Sequence, residues 1–387
     1  MVPRRYWLQC VEALWRKRRI IWLSGVRRVG KTCLAQCLDG IEYFDCELPR
    51  VRRLMEDPEA FLDGLRGRRI VLDEVHRLGD PAELLKIAAD HYRDIHILAT
   101  GSSTLGASVR FRDTLAGRKA ELWLTPITLA DLDDFGRSDL TYRLLRGGLP
   151  PFFLADDAPE RDFQEWMDAY WAKDIQELFR LERRKSFQKF AELLMAQSGG
   201  LFEATRFSAP CEVSRTTVSN YLAVLEVTFV VHVVRPFSSR RQSEIIAAPK
   251  VYGFDTGFVC CHRGWHELRP EDLGLLWEHF VLNEMHACLQ TRDIRYWRDK
   301  RGHEVDFVVV RRGRSLAAIE CKWSARDVEW TNLRAFLGQY PRATAYIVTA
   351  DTTARSTLRH AGLSATVVSL SELTRALSEG SGVSASP

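Results

Sequence analysis

The 387-residue sequence contains no apolar run approaching the ~20 residues that span a bilayer, so no membrane-crossing helix is expected. Its first residues, Met1-Val-Pro-Arg-Arg-Tyr-Trp, lack the apolar stretch and small-residue cleavage site of a secretory leader, and the expected location is the cytoplasm. Cys-x-x-Cys occurs nowhere, and the nine cysteines are an odd number that includes the adjacent pair Cys260-Cys261. Neither a disulfide framework nor a structural zinc site is expected, and Cys33 reads as a small core residue. Charge of one sign is scarce too: 55 basic against 51 acidic residues leave +4. That balance neither names nor excludes a nucleic-acid partner, and any basic face must be local. No internal repeat is visible. What is present is globular, 46% hydrophobic and 27% charged, and too long for one core, which implies two or three domains.

The first 125 or so residues alternate β-rich runs (41–45, 69–73, 95–100, 120–124) with helical patterns at about 32–39, 56–66 and 81–92, as a parallel sheet with crossover helices requires. From about 127 to 190 the pattern is helical and charged, broken at Gly147-Gly-Leu-Pro-Pro151. Helical spacing then returns at 187–198 and 214–228. Strand-like runs at 228–236 and 250–254 follow, flanking a basic loop, and this is the layout of a winged helix-turn-helix. The remainder reads helix (273–290), three strands (294–298, 304–311, 316–321), helix (328–340) and strand (343–349), the order of a restriction-endonuclease-like core. A Gly/Ser-rich tail is expected to be disordered.

The most informative segment is Gly25-Val26-Arg27-Arg28-Val29-Gly30-Lys31-Thr32, directly after the apolar run Ile20–Ser24. Glycines at these positions let backbone N–H groups curl toward phosphates, the lysine reaches the terminal phosphates, and Thr32 opens a helix and ligates magnesium. The expected nucleotide contacts run from Gly25 through Thr32 to Cys33. A second apolar run ends in Asp73-Glu74, with Asp73 for the metal and Glu74 as the base that polarises the attacking water. Ser102, at the next strand end, is placed to sense the terminal phosphate. Arg118, on a small turn, suits transition-state phosphate because its fork donates bidentately and stays charged.

Further along, Asp306 lies within one strand, and Glu320-Cys-Lys322 ends the next, with Glu320 and Lys322 on the same side. With Glu278 on the preceding helix, this set suits a hard divalent cation and phosphodiester cleavage, Lys322 positioning the water or neutralising developing charge. The same carboxylates also suit a domain that keeps the fold without the chemistry. In 213–225, Val218, Tyr221, Leu222 and Leu225 are expected to face the core. Arg215, Thr216, Thr217, Ser219 and Asn220 are expected to face the major groove, with Arg240 and Arg241 reaching phosphates from the wing.

The runs 25–32, Leu72-Asp-Glu-Val-His76, Ala99-Thr-Gly-Ser-Ser103, Leu115-Ala-Gly-Arg118, Leu145-Arg-Gly-Gly-Leu-Pro150, 250–257 and 297–306 together resemble a large prokaryotic group. These are AAA-superfamily P-loop ATPases close to the archaeal-type, signal-transducing class, and the likeness spans about 1–370. It implies an α/β multidomain chain. The parts are an AAA-type P-loop NTPase core with a parallel sheet (1–135), a helical lid or linker (136–186), a winged helix (187–248), a restriction-endonuclease-like α/β domain (249–370) and a mostly disordered tail (371–387). The expected activity is ATP hydrolysis with Mg2+, coupled to binding or processing DNA, with a second divalent metal at the C-terminal carboxylates and a ring-like homo-oligomer on nucleotide or DNA. Two alternatives stay open: a nucleotide-controlled switch with an inactive nuclease-like domain, and a protein-remodelling ATPase.

Overall fold

The computed structural model describes residues 1–101, 109–156, 160–176, 183–238, 248–311 and 315–379. Five short strands, β1 (Ile20–Ser24), β2 (Ile41–Asp45), β3 (Arg69–Asp73), β4 (His96–Thr100) and β5 (Lys119–Trp123), form one sheet in the order β2-β3-β4-β1-β5. Every neighbouring pair in it is parallel. β1 is buried along its whole length and β3 and β4 along most of theirs, which is why they read as continuous apolar runs rather than alternating ones. Because β4 lies between β1 and β3, the ends of all three strands meet at one edge.

Among the described residues the helices Leu129–Leu132, Leu140–Arg146, Pro150–Leu154 and Glu160–Tyr170 follow the parallel sheet, and the segment Trp171–Ile175 is a π-helical turn. The helices Arg184–Ala196, Ala204–Ser208 and Arg215–Val227 lead into β6 (Val231–Pro236), which pairs antiparallel with β7 (Lys250–Gly253). β6 also pairs in parallel with β8 (Ile294–Arg298). The hairpin thereby closes one end of an eight-stranded mixed sheet, β12-β13-β11-β10-β9-β8-β6-β7. Its other members are β9 (Glu304–Val310), β10 (Leu316–Lys322), β11 (Thr344–Thr349), β12 (Ser356–His360) and β13 (Leu363–Val368).

The helix Pro270–Leu289 packs on this sheet and is buried on nearly every face from Leu276 to Cys288. The tail expectation needs correcting, because Leu370–Ser378 is a helix that buries Leu370, Leu373 and Leu377 against the sheet. Three leucines at helical spacing make it part of the core. Residues 380–387 lie outside the described residues.

An aromatic cluster joins the helical segment to the hairpin. Trp166 is fully buried and packs on Tyr170, Phe254 and Phe258 with ring centroids 4.8–5.3 Å apart. Packed aromatics of this kind combine large buried area with preferred geometry.

Candidate functional site

At the carboxyl edge of the parallel sheet the chain leaves β1 through Gly25, whose φ is 147°. A Cβ there would stand 2.5 Å from the Leu124 carbonyl oxygen, so only glycine lets the loop pass that close to the end of β5. Val26 and Val29 are buried and anchor the loop, and the side chains of Arg27, Arg28 and Lys31 line the cavity beside it. The Lys31 ammonium lies over the loop, donating to the carbonyls of Gly25 at 2.9 Å and Val26 at 3.2 Å. Burial pushes its pKa down, while the nearby carboxylates of Glu74, Asp174 and Asp73 act in the opposite sense.

Thr32 donates to Asp73 Oδ2 at 2.9 Å, and Tyr43 donates to the same oxygen at 2.5 Å. The Thr100 hydroxyl donates to the other Asp73 oxygen and accepts the Glu74 backbone N–H at 3.1 Å. Thr100 therefore fixes both acidic residues. Glu74 itself adopts left-handed backbone angles, φ 54° and ψ 45°, uncommon for a residue with a Cβ and costly enough to mark a constrained position. Burial raises the Glu74 pKa, but His76 Nδ1 at 3.1 Å and the charges of Lys31 and Arg27 outweigh it, so the carboxyl is held below its ordinary range.

These residues surround a cavity of about 520 Å3 whose lining includes Gly25, Lys31, Thr32, Glu74, Gly101 and Asp174. Cys33 also lines it and is exposed, which corrects the core assignment: the helix Lys31–Gln36 turns this side chain outward. Asp174 was not anticipated. It arrives on the π-helical turn, buried, with Oδ2 3.7 Å from the Arg27 guanidinium, and burial pushes its pKa up. Trp171 and Ile175 beside it are core residues, which explains why the carboxylate is held at the cavity. Ser102 lies outside the described residues.

Arg118 is not at this cavity. It directly precedes β5, so the parallel sheet places it at the opposite, amino edge, where it grips Asp90 bidentately at 2.7 and 3.1 Å. A direct role at the nucleotide of its own chain is thereby excluded.

In the eight-stranded sheet Glu278, Asp306, Glu320 and Lys322 do come together. Lys322 Nζ lies 3.1 Å from Glu320 Oε1, and Asp306 accepts the Cys321 N–H at 2.7 Å. Burial, with Glu320 and Glu278 close by, pushes the Asp306 pKa well up; burial also raises Glu320 against the pull of Lys322. The unanticipated member is Lys250 on β7, whose ammonium pairs with Glu304 and lies 3.4 Å from Glu278, to which Tyr252 also donates. Among the described residues no group of three His, Cys, Asp or Glu side chains is arranged to hold a metal ion. Glu278 is engaged by Lys250 and Glu320 by Lys322, and the second divalent cation expected at these carboxylates is not supported by this arrangement.

On the helix Arg215–Val227 the burial pattern is the expected one: Val218, Tyr221, Leu222 and Leu225 are buried, and Arg215, Thr216, Ser219 and Asn220 are exposed. Thr217 is half-buried and its N–H bonds the N-cap Ser214 at 3.1 Å, so it serves the helix end. Arg240 and Arg241 lie outside the described residues.

Residues 17–132 match a family described as AAA domain. Residues 137–269 and 273–372 match two families each described as a domain of unknown function (DUF8612 and DUF4143). Uncharacterized proteins of Mycobacterium tuberculosis and Mycobacterium bovis are each 29% identical, the match covering 76% of this chain and 68% of theirs. Among solved structures, a Walker-type ATPase of Pyrococcus abyssi aligns at 15% identity and TM-score 0.44, over 68% of this chain and 96% of that one. A signal transduction ATPase with numerous domains and a tetratricopeptide repeat sensor, from Pyrococcus horikoshii, aligns at 13% and TM-score 0.29, over 75% and 47%. No helix among the described residues is long and apolar enough to cross a membrane. The AAA-domain match, laid over a parallel sheet that carries Gly25–Thr32 and Asp73-Glu74 at one edge, makes residues 17–132 a P-loop ATPase domain.

Proposed function

We propose that this protein hydrolyses ATP and uses the nucleotide state to control a DNA-binding module formed by its helical and hairpin segments. The observation that carries the reading is the convergence of Lys31, Thr32 and Glu74 on one cavity, with Asp73 bonded to Thr32 beside it and Thr100 bonded to both acidic residues. The loop N–H groups and Lys31 bind the phosphates. Thr32 and Asp73 would hold a magnesium ion, which when bound neutralises charge on the terminal phosphate oxygens. Glu74, ionised and presented into the cavity, accepts the proton of the attacking water. Arg118 reaches a nucleotide only in a neighbouring copy of the chain, so a role for it requires a homo-oligomer.

Transmission is supported by the helical segment. Trp166 donates its indole N–H to the Arg27 carbonyl at 3.2 Å and packs on Phe254 and Phe258, just beyond the hairpin. A change at the phosphate loop is felt there because packed aromatic cores do not deform continuously. We read residues 187–248 as a winged helix whose exposed Arg215, Thr216, Ser219 and Asn220 face DNA, and 249–370 as a restriction-endonuclease-like domain.

The engagement of Glu278 and Glu320 by Lys250 and Lys322 favours a switch over a metal-dependent nuclease for that domain. The test is to measure duplex affinity of the Glu74→Gln protein with ATP and of the wild type with ADP, while assaying plasmid cleavage with Mg2+ and Mn2+. Different affinities in the two states and intact plasmid are expected. Equal affinities would defeat the switch, and cleavage lost on Asp306→Ala would restore the nuclease.

A further inference from the structure

The edge of the parallel sheet opposite the nucleotide cavity carries a second concavity, about 810 Å3, at the amino ends of β1, β4 and β5. Its lining holds six cationic side chains, Arg16, Lys17, Arg18, Arg19, Arg93 and Arg118, against one carboxylate, Asp94. The whole chain carries only +4, so this groove concentrates a positive charge as large as that of the entire molecule. Arg16, Lys17, Arg18, Arg19 and Arg93 are all exposed. Among the described residues Arg16, Arg18, Arg19 and Arg93 have no carboxylate within salt-bridge distance, whereas Arg118 is held by Asp90.

Four consecutive cations follow directly on the helix Arg5–Trp15. A cation there complements the negative end of the helix, but that effect fades within the last turn and one or two charges satisfy it. The remaining like charges repel each other in the free protein, and a polyanion relieves that repulsion. The field is felt locally: burial pushes the His96 pKa down, and the cations of Arg69 and Arg19 push it further the same way.

We propose that this groove binds the phosphate backbone of a DNA duplex, as a site separate from the helix Arg215–Val227 and independent of it. An acidic protein partner fits the surface less well. Stable protein interfaces need an apolar core, whereas the apolar residues lining the groove, Trp15, Ile20 and Ala89, are buried or half-buried. The exposed large hydrophobic residues, Met1, Leu48, Leu54, Leu154 and Val310, all lie elsewhere among the described residues. Backbone contacts to arginine carry no base information, so the groove supplies affinity without sequence preference.

The two edges divide the labour of one sheet: nucleotide at the carboxyl ends of the strands, nucleic-acid backbone at the amino ends. The five residues of β1 separate them by roughly 16 Å at ~3.3 Å per residue. Arg118, which the sequence suggests for phosphate chemistry, stands here as one of the six cations.

The test is fluorescence anisotropy of a labelled 20-base-pair duplex titrated with full-length protein over a series of KCl concentrations. Wild type, Arg16→Gln/Arg18→Gln/Arg19→Gln, and Arg215→Gln/Asn220→Ala are compared, with thermal melting and ATP binding as controls for folding. Losing three phosphate contacts lowers the slope of log affinity against log salt by about 2.7, and affinity near 0.1 M salt by about 100-fold. An unchanged slope and affinity in the triple variant would overturn the groove, even where Arg215→Gln/Asn220→Ala abolishes binding and so upholds the helix. Loss of ATP-dependent self-association in the triple variant, with duplex binding intact, would also overturn it and assign the surface to a second copy of the chain.

Discussion

Arg27 of the phosphate loop faces Asp174 of the π-helical turn, guanidinium to carboxylate, at 3.7 Å. A buried carboxylate beside the phosphate cavity opposes the charge of the nucleotide and competes with it for Arg27. Asp174→Asn removes that opposition and is expected to tighten ATP binding about three- to tenfold, and ADP binding less, because ATP brings one more phosphate. Arg27→Gln is expected to weaken ATP binding about tenfold. Competition titrations with a fluorescent nucleotide read both, and equal ATP affinity in Asp174→Asn and wild type would show that the pair is only structural.

The double hydrogen bond of Thr100, to Asp73 and to the Glu74 N–H, makes it a positioning residue for hydrolysis. Thr100→Val keeps the volume and removes the hydroxyl. Phosphate release is expected to slow about 10- to 100-fold with the nucleotide dissociation constant within about threefold, whereas Glu74→Gln should lose ~10²–10⁴-fold in turnover. Lys31→Ala should lose binding itself. Normal turnover in Thr100→Val would mean that Asp73 and Glu74 are oriented by the strand ends alone.

The nucleotide edge was legible because its requirements are local. Gly25–Thr32 and Asp73-Glu74 each sit at a strand end in a contiguous motif, and the strands themselves are short apolar runs bounded by turns. Asp174, Thr100 and Lys250 were not legible as site residues, since their partners lie 147, 27 and 28 positions away and no spacing rule joins them. Arg118 shows the reverse case. Its residue type and turn suit phosphate, yet the direction of the following strand, a property of the whole sheet, places it at the wrong edge of its own chain. The strands β12 and β13 escaped notice because β12 is mostly exposed and carries no apolar alternation to mark it.

Gly147 and Asp255 couple the turn that leads to the cavity-lining Pro150 with the segment after β7. The Asp255 carboxylate accepts the Gly148 N–H at 2.5 Å, and a Cβ on Gly147 would lie 2.0 Å from it, at a φ of 82°. Gly147→Ala is therefore expected to cost at least ~3 kcal/mol, combining backbone strain with displacement of a buried, hydrogen-bonded acid. Asp255→Asn, which keeps the shape, should cost about 1–3 kcal/mol. Urea unfolding measures both, and a loss below 1 kcal/mol in Gly147→Ala would show that this turn can move away from Asp255.

Lys250 neutralises Glu278 and Glu304 from the far strand of the hairpin. Lys250→Met leaves the two half-buried carboxylates without their cation, and a loss of about 1–3 kcal/mol is expected. Lys250→Arg keeps the charge and is expected to lose less in urea unfolding. An equal loss in both variants would point to lost packing of the lysine stem instead.

Glu284 supplies the clearest pH signature. It is buried on the helix Pro270–Leu289, accepts the Leu129 N–H at 2.7 Å, and burial raises its pKa from 4.5 to about 8. The folded chain therefore keeps a proton that the unfolded chain loses once the pH passes about 4.5. In that window the native state binds more protons, so stability falls with rising pH, by up to ~1.4 kcal/mol per unit, and levels off above about 8. Glu284→Gln is neutral at every pH and keeps the acceptor for Leu129. Its melting temperature should match that of the wild type near pH 5 and exceed it by several degrees at pH 8. Parallel melting curves across that range would show that Glu284 is ionised in the folded protein, with water or a cation reaching it.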